Sequence, residues 1–365
     1  MSYFGISRSY FGSHFGKICG FLGIVFLWNI SLAKEEDVAL NVVPSRAIKE
    51  EEKISLLRQE SPAVFVFKEY GSAVVRVIGM AELKSNEGQV KSNEEQIREG
   101  TGFFIDDRAH VLTTASVVAS AEEVWVKRGD ELFAAEKIGS DEVTNVAVLR
   151  LFKQPERFTY IPYKQSVIEN ELEIGLTIIS IGSKLGLDPG PNQGIITGSH
   201  LSYGDYKFVV PYWRTSLAMD GGEGGSPIFG SNGHFLGIMI ASLFEIRASL
   251  ILPAYAIQRV VDDLLRSGVT SYVNGGFSVR QDLQPGGNYR MTITQVLKDS
   301  PAEKAGLQVE DELQQINGRK INKMEDLSIG LFHTHPEEEI KLWVIRGGQP
   351  CLLSLVMEIS KGDKN

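Results

Sequence analysis

Residues Asp220–Pro227 read DGGEGGSP. A serine that attacks a carbonyl is best presented on a tight, glycine-rich turn. There the unhindered backbone lets N–H groups converge on the oxygen that gains charge. This stretch has that shape, with Ser226 as its one hydroxyl and Glu223 as a carboxylate beside Gly224. Loops of this kind place the serine where Gly224 stands. Three readings are open: a working loop with a displaced serine, a loop whose chemistry has been removed, or a tight turn. Nucleophilic attack also needs a base, and Ser226 lies two residues from Gly224, about 6–7 Å in an extended chain.

Such a loop needs a rigid frame. Short β-rich runs recur from Ala73: AVVRVIGM, TGFFI, HVLTT, EVWVK, LFAAEKIG and NVAVLRLF, then LTIISIG, GIITGSHL, YKFVV, SPIFG, HFLGIMIA and SLILP. Gly, Asp and Asn punctuate them. A dozen such strands without intervening helices predict a pair of antiparallel barrels. Lys84–Gly100 reads as an exposed polar loop between two of them. Ala254–Ser267 then carries Ile257, Val260, Val261, Leu264 and Leu265 at helical spacing, with Gly268 where a helix stops. This helix is expected to pack on the second barrel. A separate α+β unit runs over residues 275–360, ordered strand, strand, short helix, strand, helix, strand. Its SPAEKAGL carries a capping serine, a proline at the first helical position and a glutamate three residues after the cap.

Composition narrows the partners. The chain has 365 residues, 43% hydrophobic and 23% charged, ordinary for globular domains. Arg8 and Lys17 flank an acid-free start, the apolar run Ile18–Ala33 follows, and KEED comes next. That pattern predicts a signal peptide over 1–33 and an exported mature chain, with a retained N-terminal anchor as the alternative. Residues 34–60 read as a charged linker. The mature chain would carry 35 basic and 46 acidic residues, which gives no attraction for nucleic acid or an anionic membrane. Cys351 would be its one cysteine, so no internal disulfide is expected. No Cys/His spacing suits a metal, and His333 and His335 read as a solvated helix end. No cofactor is implied.

In order and spacing, TGFFIDDRAHVLTTASVV, SDEVTNVAVLRL, IGSKLG, RTSLAMDGGEGGSPIFG, GHFLGI and ILPAYAI resemble the HtrA/DegP serine proteases. Those proteins join a trypsin-like double barrel to C-terminal PDZ domains. The resemblance implies a mostly β fold, with the double barrel over 61–270 and one PDZ domain over 275–360. Catalysis in that family needs a serine, a histidine base and an aspartate that orients it. The histidine position holds Ser116, the aspartate position Asn145 and the serine position Gly224. Ser216 stands where the family tends to have aspartate, and Gly221 where it often has proline. A hydroxyl at 116 has no useful pKa as a base near neutral pH. His110, six residues earlier, reads as a surface histidine at a strand start. The resemblance makes the Gly222 and Gly224 N–H groups an oxyanion-hole-like pair.

The expected function is therefore a non-catalytic scaffold, regulator or chaperone-like factor that binds unfolded proteins or peptide C-termini. The alternatives are an endopeptidase with rearranged groups and a structural subunit of an active relative. The carboxylate loop resembles Gly276-Phe277-Ser278-Val279, with Ser278 replacing a usual glycine and Met324–Phe332 forming the other wall. Phe65 and Phe67 could serve a trimer contact or lie in a strand core.

Overall fold

The computed structural model describes residues 61–82, 95–164, 173–204 and 206–360. The expected signal peptide and charged linker lie outside them, as does the first part of the Lys84–Gly100 segment. No helix among the described residues is long and apolar enough to cross a membrane.

The chain enters through α1 (Pro62–Tyr70), not a strand. Ser61 caps it by accepting the Val64 N–H at 3.3 Å, and Pro62 sits at the first turn, where its missing N–H costs nothing. Val66 is buried, Tyr70 stacks on Phe229 at 4.7 Å, and Phe65 and Phe67 stay largely exposed. The strand-core reading of Phe65 and Phe67 fails because capping and the proline favour helix over the apolar alternation.

The first barrel closes in the order β1-β2-β3-β6-β5-β4. Its strands are β1 (Val74–Glu82), β2 (Glu95–Phe104), β3 (His110–Thr113), β4 (Glu123–Arg128), β5 (Glu131–Asp141) and β6 (Val146–Leu151), with the one-turn α2 (Ala115–Val118) after β3. β2 begins at Glu95, so the end of the segment read as loop is strand. Its polar residues face water, which an antiparallel strand tolerates on one face. The second barrel closes as β10-β11-β12-β9-β8-β7. Its strands are β7 (Thr177–Gly182), β8 (Gly190–Tyr203), β9 (Tyr206–Thr215), β10 (Pro227–Gly230), β11 (Phe235–Leu243) and β12 (Ala248–Pro253). All twelve runs read from the sequence are strands of one barrel or the other.

The period-2 alternation divides the core. Phe104, with Val75, Val77, Val111 and Leu149, fills the first barrel. Phe103 points the other way, into a cluster with Ile179, Ile181, Phe229 and Phe235 that joins the two barrels. Helix α3 (Ala254–Ser267) ends as expected at Gly268, whose N–H bonds the Leu264 carbonyl at 2.9 Å. Its Ile257, Val260, Val261 and Leu264 join that shared cluster, with Val146, Val148 and Ile138 of the first barrel. The helix therefore spans both barrels and does not pack on the second alone.

The C-terminal unit has its own core around Met291, Ile293, Leu313, Leu342 and Leu355. It begins at β13 (Val273–Asn274) and continues with β14 (Phe277–Leu283), β15 (Tyr289–Val296), the short α4 (Pro301–Lys304), β16 (Glu312–Ile316), β17 (Arg319–Lys320), α5 (Met324–Phe332), β18 (Glu339–Arg346), β19 (Gln349–Val356) and β20 (Glu358–Ile359). Its main sheet runs β14-β15-β16-β18-β19, with β17 beside β16, and β20 returns to pair β13. The expected single last strand is a hairpin, because Gly347 and Gly348 supply the positive φ values of a two-residue turn.

Candidate functional site

Ser116, Asn145 and Gly224, where the resemblance expects the triad, come together between the barrels. Ser116 lies in α2, Asn145 in the turn from β5 to β6, and Gly224 in the loop before β10. Asn145 takes φ 59°, a left-handed conformation that asparagine tolerates. Its Oδ1 accepts the Ser116 N–H at 2.8 Å, and its Nδ2 donates to the Ile240 carbonyl of β11 at 3.1 Å. The Ser116 hydroxyl lies 3.3 Å from Thr114 Oγ1. A Cβ placed on Gly224 would stand 3.5 Å from that same Thr114 oxygen, in ordinary contact. Arg98 adds a charge, its guanidinium donating to the Ser116 carbonyl at 3.0 Å. A guanidinium stays protonated and the other groups do not ionise near neutral pH, so the cluster offers hydrogen bonds and no base.

Most carbonyls of the loop are hydrogen-bonded. Asp220 O accepts from Glu223 N, Gly221 O from Leu185 N, Gly222 O from the Thr101 hydroxyl and Gly224 O from Thr101 N, at 2.7–3.2 Å. The N–H groups of Gly225 and Ser226 are also committed, to Met239 O and Glu223 O. Among the described residues, no acceptor takes the N–H groups of Gly222 and Gly224. Gly225 is fixed by necessity: at φ 93°, a Cβ would lie 2.1 Å from Thr101 O.

The remaining candidates point elsewhere. Ser226 is 1% exposed, and its hydroxyl donates to the Glu223 carbonyl at 2.6 Å. Glu223 is 5% exposed and accepts the Asp220 N–H at 2.7 Å. His110 starts β3 as expected but is buried, not on the surface, with Nδ1 2.6 Å from Asp106 Oδ2. Burial works to raise the Asp106 carboxyl, yet hydrogen bonds from the His110 side chain and backbone and from Arg108 hold it below the usual range. His110 pairs with Arg150, three residues along β3 from Thr113, about 10 Å from the cluster end of the strand. Ser216 Oγ accepts the Ile195 N–H at 3.0 Å, a structural use.

Sequence reading missed Thr101. Its hydroxyl holds Gly222 O at 2.7 Å and takes the Ser183 N–H at 2.9 Å, while its carbonyl accepts from Thr113 Oγ1. No local signal marks a threonine 121 residues from its partner. Thr114 was missed for the same reason.

In the C-terminal unit, Gly276-Phe277-Ser278-Val279 leads into β14, an edge strand bonded on one side to β15. Gly276 has φ 73°, and a Cβ there would meet Ser300 Cβ at 2.1 Å. Phe277 and Val279 are half-buried on the core side and Ser278 is exposed. The Gly276 N–H donates to Asn274 Oδ1 at 2.8 Å, so this donor is already used. His333 ends α5, and His335 beyond it lies 3.3 Å from Asp263.

A trypsin-like peptidase domain profile matches residues 100–238, and a PDZ domain profile matches 271–356. The chain is of a trypsin-like–PDZ type: a trypsin-like domain followed by a PDZ domain. A Chlamydia trachomatis protein named "Probable periplasmic serine endoprotease DegP-like" is 27% identical over 286 residues, covering 73% of this chain and 55% of that one. One of the same name from Ectopseudomonas mendocina is 30% identical over 267 residues, covering 68% and 54%. The chain thus spans about half the length of the curated relatives it matches. Among solved structures, the HtrA-type protease AlgW with a tripeptide superposes with TM-score 0.65 at 18% identity, over 81% of this chain and 97% of that one. A serine endoprotease from Yersinia pestis gives 0.55 at 21% identity, over 80% and 96%. At those identities the likeness is one of fold.

Proposed function

We propose that this protein is an exported, non-catalytic member of its type, a peptide-binding scaffold, regulator or chaperone-like factor in envelope protein quality control. The observation that carries this reading is a cluster without a base. Ser116 and Asn145 are hydrogen-bonded, Thr114 lies between Ser116 and Gly224, and the charged group against them is the Arg98 guanidinium, which stays protonated. Buried Ser226 and Glu223 are bonded into the loop wall, which argues against a displaced nucleophile and base. The free N–H groups of Gly222 and Gly224 are what such a centre would keep of an oxyanion hole. Peptide binding rests on β14, whose open edge suits an added strand, with Phe277 and Val279 beneath it. The periplasmic names of the relatives support export. Exposed Phe65 and Phe67 favour assembly into a homo-oligomer or with an active relative, which size analysis alone and with the relative would resolve.

The test is casein digestion by residues 34–365, beside Ser226→Ala and a serine-directed covalent probe. The expected result is no cleavage and no labelling by either protein. Cleavage lost in Ser226→Ala would overturn the reading and establish a rebuilt catalytic site.

A further inference from the structure

We propose that β19 of the PDZ domain pairs edge to edge with β19 of a second copy of this chain, giving a two-fold dimer through a surface separate from Phe65 and Phe67. β19 ends the main sheet and is bonded on one side to β18. The two-residue turn at Gly347 and Gly348 sets which backbone groups face away from that partner. In such a hairpin Arg346 and Gln349 exchange both backbone bonds, and every second pair repeats this, Val344 with Cys351 and Leu342 with Leu353. The N–H and C=O groups of Leu352, Ser354 and Val356 therefore point away from β18. Among the described residues, no backbone group bonds them there. Beyond Val356 the edge is closed, because β20 pairs with β13.

An open row of donors and acceptors recruits another strand, so exposed edges are ordinarily guarded by charges, bulges or prolines. The opposite edge of the sheet, β14, carries Arg280 and Asp282. β19 reads QPCLLSLV, without a charge, and its ladder with β18 has no bulge. Its one guard, Pro350, sits at the turn end. Leu353 and Leu355 are buried on the inner face, while Leu352 and Val356 are 47% and 58% exposed on the outer one. Trp343 of β18, opposite Leu352, is 40% exposed beside them. The barrels meet the PDZ domain at α5, where the Ser328 hydroxyl donates to the Val209 carbonyl of β9 at 2.6 Å, and they leave this face uncovered. The strand also fits itself. An antiparallel copy centred on Ser354 sets Ser354 against Ser354 and Leu352 of each chain against Val356 of the other, all on one face. Each of these pairs exchanges both of its backbone bonds, and Pro350 stays outside them. Lys341, across β18 from Ser354, would stand three strand spacings from its counterpart, about 14 Å, beyond the screening length at physiological salt. No like charges confront each other, and β14 stays open at the far end of each sheet.

Ser354→Lys and Ser354→Glu test the pairing at its centre. Either variant alone sets like charges directly opposite each other, and an equimolar mixture sets opposite charges there. Ser354 is exposed and its backbone is not used by β18, so both variants should keep the parental melting temperature. Sedimentation equilibrium of the full mature chain over a dilution series reads the association. The expected result is a mass for each variant that falls toward half that of the unmodified chain at equal concentration, whatever other interface it keeps. The mixture should associate about tenfold or more tighter than either variant alone. That restoration also excludes misfolding as the cause of dissociation. An unmodified chain that stays monomeric at every dilution, variants of unchanged mass, or a mixture no heavier than its components would overturn the proposal.

Discussion

At the scale of single residues, the loop before β10 separates two kinds of glycine. A Cβ on Gly224 would make only ordinary contact, its nearest atom being Thr114 Oγ1 at 3.5 Å. Gly225 is locked at φ 93° against Thr101 O. Gly224→Ser should therefore change stability by no more than about 0.5 kcal/mol, since no neighbouring atom has to give way. Gly225→Ala should cost about 3 kcal/mol or more, through strain and a displaced carbonyl. Denaturant melts of the two variants check this, and equal losses would refute the distinction. Casein digestion by Gly224→Ser should stay at background, because Ser116 supplies no base. Ser116, Asn145 and Gly224 were named from the resemblance alone. Their convergence was not legible in the sequence, since Asn145 reaches Ser116 and Ile240 across 29 and 95 residues.

At the scale of elements, the start of β16 is tied to the end of β18 in the PDZ sheet by a charged pair. Asp311, almost wholly buried, receives Arg346 Nε and Nη2 at 2.7 Å each and the Gln308 N–H at 2.9 Å. Burial alone would raise its carboxyl. The Arg346 hydrogen bonds and charge and the Gln308 N–H outweigh that and hold it below the usual carboxylate range. A depressed folded pKa stabilises above the unfolded value, about 3.9, and that contribution is lost as pH falls through the folded pKa. Asp311→Asn should cost about 2–3 kcal/mol at pH 7. It should also flatten the fall in PDZ stability below about pH 4. Melts from pH 2.5 to 7 decide it, and a variant with the parental acid slope would rule out Asp311 as its source. The strands around this pair were readable from alternation. The Asp311–Arg346 pair was not, because β16 and β18 become neighbours only once the sheet forms.

At the scale of the whole molecule, Phe332 belongs to the PDZ helix by sequence and to the barrel cluster by packing. Phe332→Ala should remove about 3–5 kcal/mol of packing and leave buried Arg259 without one of its two ring contacts. Calorimetry should then show an early PDZ transition separated from that of the barrels, whereas an unshifted single transition would deny Phe332 that role. The sequence by itself determined the twelve barrel strands, the α3 helix and its end at Gly268, and the PDZ unit. Each of these is written in local periodicity, capping or motif order. It could not determine that Ser226 and His110 are buried, that α3 spans both barrels, or that α5 rests against β9. Burial and docking depend on which distant surfaces meet, and that is decided only when the closed barrels and the PDZ sheet bring residues a hundred or more positions apart into contact.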